Sequence, residues 1–269
     1  MKRSHPRGRP TAGGRSNYGQ SDLPALSVVH RLVLGQQCVR EAVRVWGPRV
    51  TRVLIERDPN PRLAALQKFA QDQGVPVETV QRAQLDRLAG GSIHQGAAAD
   101  APQLPLRSWN ELRDDPELLA VALDGVVDPQ NFGAVIRSAV GIARAPVMWA
   151  ESASAPLTPA TFRASAGAVE HAQLCRVASL HGTLQEAAER GAAVVGLAPD
   201  AELELSQFEP DGPVILVIGS EQKGMGRAVR RACTHLVRLH QSGLVQSLNA
   251  SVAAGIALHH LSAKIRSAR

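Results

Sequence analysis

The second half of the chain alternates apolar runs with stretches of helical character, and this pattern constrains its fold more than any other feature. Continuous apolar runs are typical of parallel strands that helices cover on both faces. The expected strands are Leu119–Leu123, Pro146–Trp149, Ala172–Val177, Ala193–Leu197, Val214–Ile218 and His235–Leu239. The expected helices are Gly133–Ala143, Pro159–Gly167, Leu180–Glu189, Arg227–Cys233 and Asn249–Ile265. The pattern predicts an α/β domain with a parallel sheet over residues 117–269.

A smaller α/β unit is expected over residues 23–99. Its clearest strands and helices are Arg52–Ile55, Leu63–Gln73, Val75–Val80 and Gln84–Leu88. This alternation predicts a small α/β sandwich. Residues 100–116 contain three prolines and little periodicity, so we expect a linker there, with a short helix near Trp109–Arg113.

Most of the positive charge lies at the N terminus. The whole chain has a formal net charge of +6. Residues 1–21 contain no acidic residue, and their basic residues are Lys2, Arg3, Arg7, Arg9 and Arg15. Because residues 1–22 are also rich in Gly, Ser and Pro, we expect a disordered tail. Such a tail either attracts RNA phosphates without sequence preference or simply keeps the protein soluble.

Several classes of protein are disfavoured. No apolar run reaches the roughly 18 residues that span a bilayer, and no signal-peptide core follows the basic start. The three cysteines lie far apart and form no disulfide or metal pattern, and the histidines are scattered. We therefore expect a cytoplasmic protein with no metal and no membrane attachment.

The segment from Leu123 to Ala139 carries the first candidate site. A polar loop follows a strand, and a helix is expected to begin near Gly133 with Asn131 as its cap. Arg137 lies just over one turn into that helix. An arginine beside a helix N terminus suits phosphate binding, whereas the structural alternative is a surface arginine and a capping asparagine.

The segment Val214–Gly226 joins a buried strand to a glycine-rich loop. Gly219, Gly224 and Gly226 would let the backbone approach a ligand closely. Lys223 does not stand in the spacing of a Walker A loop, so a nucleoside triphosphate site is not indicated. By itself this loop fits either a ligand site or a structural turn.

The segment Leu239–Ala257 carries the third candidate site. After a strand and a loop, Ser247 or Asn249 is expected to cap a helix that is rich in small residues. A glycine inside a helix costs about 1 kcal/mol relative to alanine, so Gly255 is expected to permit a close backbone contact. Taken alone, the segment indicates tight helix packing.

In this order, the three segments resemble the signature motifs of the SpoU family of RNA ribose 2′-O-methyltransferases. The matching patterns are Asn131-x-Gly-x-x-x-Arg137, Ile218-Gly-x-Glu-x-x-Gly-Met225 and Ser247-Leu-Asn-x-Ser-Val-Ala-x-Gly-Ile256. The resemblance runs from about residue 118 to 261. It implies an α/β domain whose C-terminal segment forms a deep trefoil knot. The segment Ser165–Glu170 is similar to the guanosine-directed ribosomal RNA members of the family.

The small unit adds two short resemblances. Val33-Leu34-Gly35 and His94-Gln95-Gly96 look like parts of the substrate-binding domain, similar to ribosomal protein L30e, that precedes the catalytic domain in those members. This resemblance implies a unit that grips RNA. The alternative is a generic α/β module that mediates self-association.

The SpoU resemblance also implies a cofactor and a set of site residues. S-adenosylmethionine would lie in the knot against Leu197, Ile218, Gly219, Leu239 and Leu248. Arg137 would activate the ribose hydroxyl together with the RNA phosphate that it binds. The residues implied to orient the ribose, the backbone and Arg137 are Asn131, Glu221, Ser247 and Asn249. The family further implies a homodimer whose interface is the knot region.

One stretch departs from the family pattern. The third motif usually opens with Ile-Pro-Met, whereas Leu239-His240-Gln241 stands here. The change alters loop stiffness and the pocket wall, and it makes His240 and Gln241 candidates for RNA contact. The leading hypothesis is methylation of a guanosine ribose in 23S ribosomal RNA. The alternatives are a transfer RNA 2′-O-methyltransferase and a non-catalytic RNA-binding or ribosome-assembly protein.

Overall fold

The computed structural model describes residues 30–150, 157–244 and 247–267. They form two α/β units, in the order that the sequence predicts. The expected disordered tail over residues 1–22 and the first residues of the small unit lie outside the described residues.

The first unit is a four-stranded sheet with helices on both faces. Its elements are β1 (His30–Leu34), α1 (Gln36–Trp46), β2 (Arg52–Glu56), α2 (Pro61–Asp72), β3 (Val77–Val80), α3 (Arg82–Ala89) and β4 (Ala97–Pro102). The strand order is β1-β4-β2-β3, and β2–β3 is its parallel pair. Neighbouring residues of a strand, such as Val53 and Leu54, join different core clusters because successive side chains point to opposite faces. The predicted α/β sandwich is confirmed.

Strand β4 differs from the sequence-based expectation. The prolines predict a linker over residues 100–116, yet residues 100–102 continue a strand that pairs with β1 on one side and β2 on the other. Its residues 97–101 are all buried. Alanine is somewhat depleted in strands, so this alanine-rich segment carries no local strand signal. Its place between two other strands decides its conformation.

The second unit contains one eight-stranded sheet and helices on both of its faces. Its elements are β5 (Leu106–Arg107), β6 (Leu119–Asp124), α4 (Pro129–Ala143), β7 (Val147–Ala150), α5 (Pro159–Ala164), β8 (Leu174–Val177), α6 (Leu180–Glu189), β9 (Ala193–Leu197), β10 (Leu203–Glu204), β11 (Val214–Gly219), α7 (Arg227–Ala232), β12 (His235–Arg238) and α8 (Ala250–Ser267). Within the described residues the strand order is β10-β12-β9-β11-β6-β7-β8-β5, and every pair is parallel. The predicted parallel sheet is confirmed, although the two-residue edge strands β5 and β10 were not expected.

Burial on both faces explains the continuous apolar runs. In β6, Val121 and Leu123 pack in the cluster that contains residues of α4 and α8, whereas Ala120 and Ala122 pack in the cluster that contains residues of α6. Because the strands are parallel, the carboxyl ends of β6, β9, β11 and β12 lie at one edge of the sheet. In open α/β sheets, ligands bind at this edge, where the strand order reverses.

Helix α4 begins at Pro129, four residues earlier than expected. Asp128 is its N-cap, and the Asp128 carboxylate accepts a hydrogen bond from the Gln130 backbone N–H at 3.0 Å. Proline is favoured at the first helical position because its missing N–H needs no partner there. The sequence-based expectation that Asn131 caps this helix is therefore wrong. Asn131 lies inside the first turn, which leaves its side chain available for tertiary contacts.

Two glycines of α4 are expected to respond in opposite directions to alanine substitution. A Cβ at Gly133 would lie 2.4 Å from the Thr161 carbonyl oxygen and 2.9 Å from the Ser165 backbone nitrogen, whereas a Cβ at Gly141 would meet nothing within 4 Å. Gly133→Ala should lower the free energy of unfolding by about 1–3 kcal/mol through overpacking against α5. Gly141→Ala should raise it by up to about 1 kcal/mol. Urea unfolding of both variants measures the difference, and equal stabilities would contradict this packing.

The two units meet through a buried polar contact. The Glu170 carboxylate accepts hydrogen bonds from the Arg31 guanidinium of β1 and from Trp46 Nε1 of α1, the latter at 2.7 Å. Arg31 and Glu170 are 8% and 5% exposed. Beside these residues, Gly167 of the second unit packs closely against Glu41 of the first, since a Cβ added at Gly167 would lie 2.8 Å from Glu41 Cγ. In this chain, the segment Ser165–Glu170 therefore docks the first unit against the second.

Candidate active site

A cavity of about 330 Å³ opens at the carboxyl edge of β9, β11 and β12. Its walls come from the ends of these strands, the loops that follow them and the first turn of α8. All of the predicted cofactor contacts line it: Leu197, Ile218, Gly219, Leu239 and Leu248. Glu221 and Ser247, which were predicted to orient the substrate, line it as well. Segments far apart in the chain thus meet around one cavity of a size typical of small-molecule sites.

The glycine-rich loop after β11 folds back tightly on the end of its strand. A Cβ at Gly219 would lie 2.3 Å from both the Gly224 carbonyl carbon and the Met225 nitrogen, so only glycine fits there. Ser220 and Gly224 exchange backbone hydrogen bonds at 3.0 and 2.9 Å. The turn is therefore both structural and a wall of the cavity.

Asp124, a residue that the sequence analysis missed, holds the far end of this loop. Its carboxylate accepts a hydrogen bond from the Gly226 N–H at 2.6 Å. Asp124 is the last residue of β6 and pairs in register with Gly219 of β11. An acidic residue at the carboxyl end of a strand is the signal that could have identified it.

A chain of side-chain hydrogen bonds links α8, α4 and the glycine-rich loop. Asn249 Oδ1 accepts from the backbone N–H groups of Ser251 and Val252 at 2.9 and 3.3 Å, which confirms Asn249 as the cap of α8. Since its oxygen faces the helix, Asn249 Nδ2 donates to Asn131 Oδ1 at 2.9 Å. Asn131 Nδ2 then donates to the Glu221 carboxylate. The helix N terminus thus dictates the orientation of both amides.

Arg137 lies apart from this cluster. Its exposed side chain lines a shallow cleft where Gln37 and Glu41 of the first unit face Ser165 and His171 of the second. Arg137 follows Asn131 by six residues, so the two residues are about 9 Å apart along the axis of α4. Within the described part of the chain, its guanidinium has no hydrogen-bond or ion-pair partner. The structure therefore leaves Arg137 outside the cavity, available to bind an anion.

Comparison with known families identifies the second unit. A family model described as the SpoU rRNA Methylase family matches residues 118–259, more than half of the chain. The chain belongs to this family. A second model, for the substrate-binding domain of RNA 2′-O ribose methyltransferases, matches residues 32–106 of the first unit.

Curated and structural relatives agree with this assignment. An uncharacterized tRNA/rRNA methyltransferase of Mycobacterium avium is 36% identical over 239 residues, which cover 87% of this chain and 77% of the relative. The SpoU methyltransferase AviRb of Streptomyces viridochromogenes, solved with AdoMet, superposes with a TM-score of 0.72 at 22% identity, covering 89% of this chain and 92% of that one. An rRNA methyltransferase of Sinorhizobium meliloti superposes with a TM-score of 0.69 at 22% identity, covering 87% and 86%. At these identities the superpositions show a shared fold.

The segment Leu239-His240-Gln241, which departs from the SpoU pattern, directs its side chains to two different sides. Leu239 and Gln241 line the cavity, whereas the His240 side chain is 83% exposed and lies 3.7 Å from the Glu204 carboxylate. Alternation in an extended segment places residues 239 and 241 on one side. Gln241 therefore lies in the cavity wall and His240 on the surface, and contact of either residue with RNA stays a prediction.

Two charged residues outside the SpoU motifs also line the cavity. Arg230 donates two hydrogen bonds to the Asp200 carboxylate at 3.1 and 3.0 Å. These hydrogen bonds and the positive charge of Arg230 lower the pKa of Asp200, so its carboxylate stays ionised at neutral pH. Asp200 follows the carboxyl end of β9, and a polar residue at that edge of the sheet is the signal that could have identified it.

The described residues contain no cluster of three or more His, Cys, Asp or Glu side chains that could hold a metal ion.

Burial raises the pKa of each cysteine thiol, Cys38, Cys175 and Cys233, to about 11. A protonated thiol is a poor nucleophile and a poor metal ligand, so none of these cysteines is a candidate catalytic residue. Among the helices of the described residues, none has the length and apolar character needed to cross a membrane.

Proposed function

We propose that the protein transfers a methyl group from S-adenosylmethionine to a ribose 2′-hydroxyl of RNA, with a guanosine of 23S ribosomal RNA as the target. The observation that carries the proposal is that the Asn249–Asn131–Glu221 chain of hydrogen bonds ends at the cavity lined by the predicted cofactor residues. A methyl donor and a ribose could therefore meet where these polar groups lie.

The cavity suits S-adenosylmethionine. Leu197, Ile218 and Leu239 provide apolar walls, and the tight turn at Gly219 exposes backbone to the cavity. Asp200 also lines the cavity, where Arg230 balances the charge of its carboxylate. When bound, the cofactor supplies a methyl group that its positively charged sulfur already activates.

Alignment is expected to contribute more than proton removal. Holding two reactants in place can lower a barrier by roughly 7–11 kcal/mol, whereas a general base contributes roughly 10²–10⁴-fold in rate. Asn131, Glu221, Ser247 and Asn249 would orient the ribose in this scheme. Arg137 would hold a phosphate of the same RNA strand, since an arginine is a poor base by itself.

The choice of RNA rests on the first unit and the segment that docks it. The first unit matches the substrate-binding model, and the segment Ser165–Glu170 resembles the guanosine-directed ribosomal RNA members. A relative described as a tRNA/rRNA methyltransferase supports an RNA substrate but leaves transfer RNA as the second candidate. The free thiols are consistent with a cytoplasmic location.

Transfer of labelled methyl groups tests the function. Purified protein and labelled S-adenosylmethionine are incubated with unmodified ribosomal RNA and, in parallel, with unmodified transfer RNA. Label in the ribose of a 23S guanosine is expected. Label confined to transfer RNA would establish the second candidate. Absence of label in both pools despite S-adenosylmethionine binding would contradict both enzymatic candidates and favour a non-catalytic RNA-binding role.

We also propose that the protein is a homodimer with a trefoil knot. Val252, Ile256 and His259 form an exposed stripe on α8 beside the cavity, and the two aliphatic side chains are 50% and 47% exposed. Such a stripe suits burial against a second copy. The knot is supported by the loops after β11 and β12, which meet at one cavity. A monomeric mass in sedimentation would contradict the dimer, and extension to the full contour length on pulling both ends would contradict the knot.

A further inference from the structure

Gln241 occupies the place where the family usually has methionine, and its side chain is polar within a largely apolar wall. The side chain shares the cavity with Leu239, Ile218 and Leu197. Its amide oxygen Oε1 is buried and has no hydrogen-bond partner among the described residues. Buried polar atoms in native proteins almost always have a partner. A ligand in the cavity is therefore the natural source of the missing donor.

The chemistry of an amide narrows the identity of that donor. A glutamine side chain carries an acceptor and a donor side by side, and this pair is complementary to the edge of adenine, where an exocyclic amine adjoins a ring nitrogen. The apolar side chains of Leu197, Ile218 and Leu239 suit a flat base. We propose that Gln241 accepts a hydrogen bond from the adenine amine of S-adenosylmethionine and contributes to selection of that base. This inference rests on the cofactor assignment proposed above.

Binding measured by calorimetry tests the inference without any methyl transfer. The ligands are S-adenosylhomocysteine and its analogue with unsubstituted purine as the base, which lacks the amine and carries no other polar group at that carbon. Loss of one hydrogen bond in Gln241→Met should weaken S-adenosylhomocysteine binding roughly 2- to 10-fold. The same variant should lose less affinity for the purine analogue than for S-adenosylhomocysteine, since that analogue has no amine to donate to Gln241.

His240→Ala is the matched control, because His240 is the exposed neighbour on the same segment. It should leave binding of both ligands within about twofold of wild type. Gln241→Leu provides a second apolar variant, and the melting temperature of each ligand-free variant establishes that it is folded.

Two results would overturn the inference. Unchanged S-adenosylhomocysteine affinity in folded Gln241→Met and Gln241→Leu would show that the amide makes no contact with the cofactor. An equal loss for both ligands would show that the contact does not involve the adenine amine. Failure of the wild-type protein to bind S-adenosylhomocysteine is a different result, because it contradicts the proposed cofactor itself.

Discussion

Arg137→Ala is expected to lower methyl transfer by at least about 100-fold. The variant should leave affinity for S-adenosylmethionine within about twofold of wild type, since surface substitutions change free energies by about 0.5 kcal/mol or less. Affinity for the cofactor should be unaffected because Arg137 and the cavity lie apart in the structure. Arg137 lines the cleft between the units, whereas the residues predicted to bind the cofactor line a different cavity. Transfer assays and calorimetry on the same preparation measure the two effects.

Two further variants sharpen this prediction. Arg266→Ala also removes one exposed positive charge, from the end of α8, so it controls for general attraction of RNA. Arg137→Lys keeps the charge but loses the planar fork that binds phosphate with two hydrogen bonds. We expect Arg266→Ala to retain full transfer and Arg137→Lys to recover little of it. Equal activity of the two alanine variants would contradict a specific role for Arg137.

Glu170→Gln is expected to lower the free energy of unfolding by about 3–5 kcal/mol, the usual effect of breaking a buried ion pair. The substitution leaves the Arg31 guanidinium buried without its counter-charge, and it weakens the acceptor for Trp46 Nε1. Both partners belong to the first unit, so the seam between the units should open first. Urea unfolding followed by tryptophan fluorescence measures the loss.

An exposed ion pair and a double variant provide the controls. Glu186→Gln removes one carboxylate partner of Arg113, in a pair at 2.8 Å where the Glu186 and Arg113 side chains are 40% and 32% exposed, and should cost at most about 1 kcal/mol. Arg31→Met combined with Glu170→Leu should recover much of the stability, because neither charge then remains buried alone. Similar losses for Glu170→Gln and Glu186→Gln would show that the seam contact contributes no more than a surface pair.

The fold was largely predictable, and each exception has an identifiable physical cause. Strands such as Leu119–Asp124 and Val214–Gly219 are buried on both faces, so they leave continuous apolar runs in the sequence. Strand β4 leaves no such signal because it is rich in alanine, which is somewhat depleted in strands. The start of α4 was misplaced because Asp128 and Asn131 are both good caps, and only Asp128 lies before the proline at the first helical position.

The three motifs contain most of the residues that line the cavity. They could be identified from the sequence because the turn at Gly219 requires glycine and the start of α8 requires a capping residue such as Asn249. Asp124 and Asp200 were missed, since each is a single carboxylate whose partner is distant in sequence. Their contacts exist only once parallel strands bring the carboxyl ends of β6, β9 and β11 to one edge.

The sequence by itself determined the parallel α/β architecture and the family, because apolar patterning and short motifs are local properties. Only the tertiary structure decided that Asn131 orients other side chains instead of capping its helix, and that Arg137 lies outside the cavity. It also placed Gln241 in the cavity wall and the segment Ser165–Glu170 in the seam between the units. These outcomes depend on contacts between residues that are distant along the chain, which no local pattern encodes.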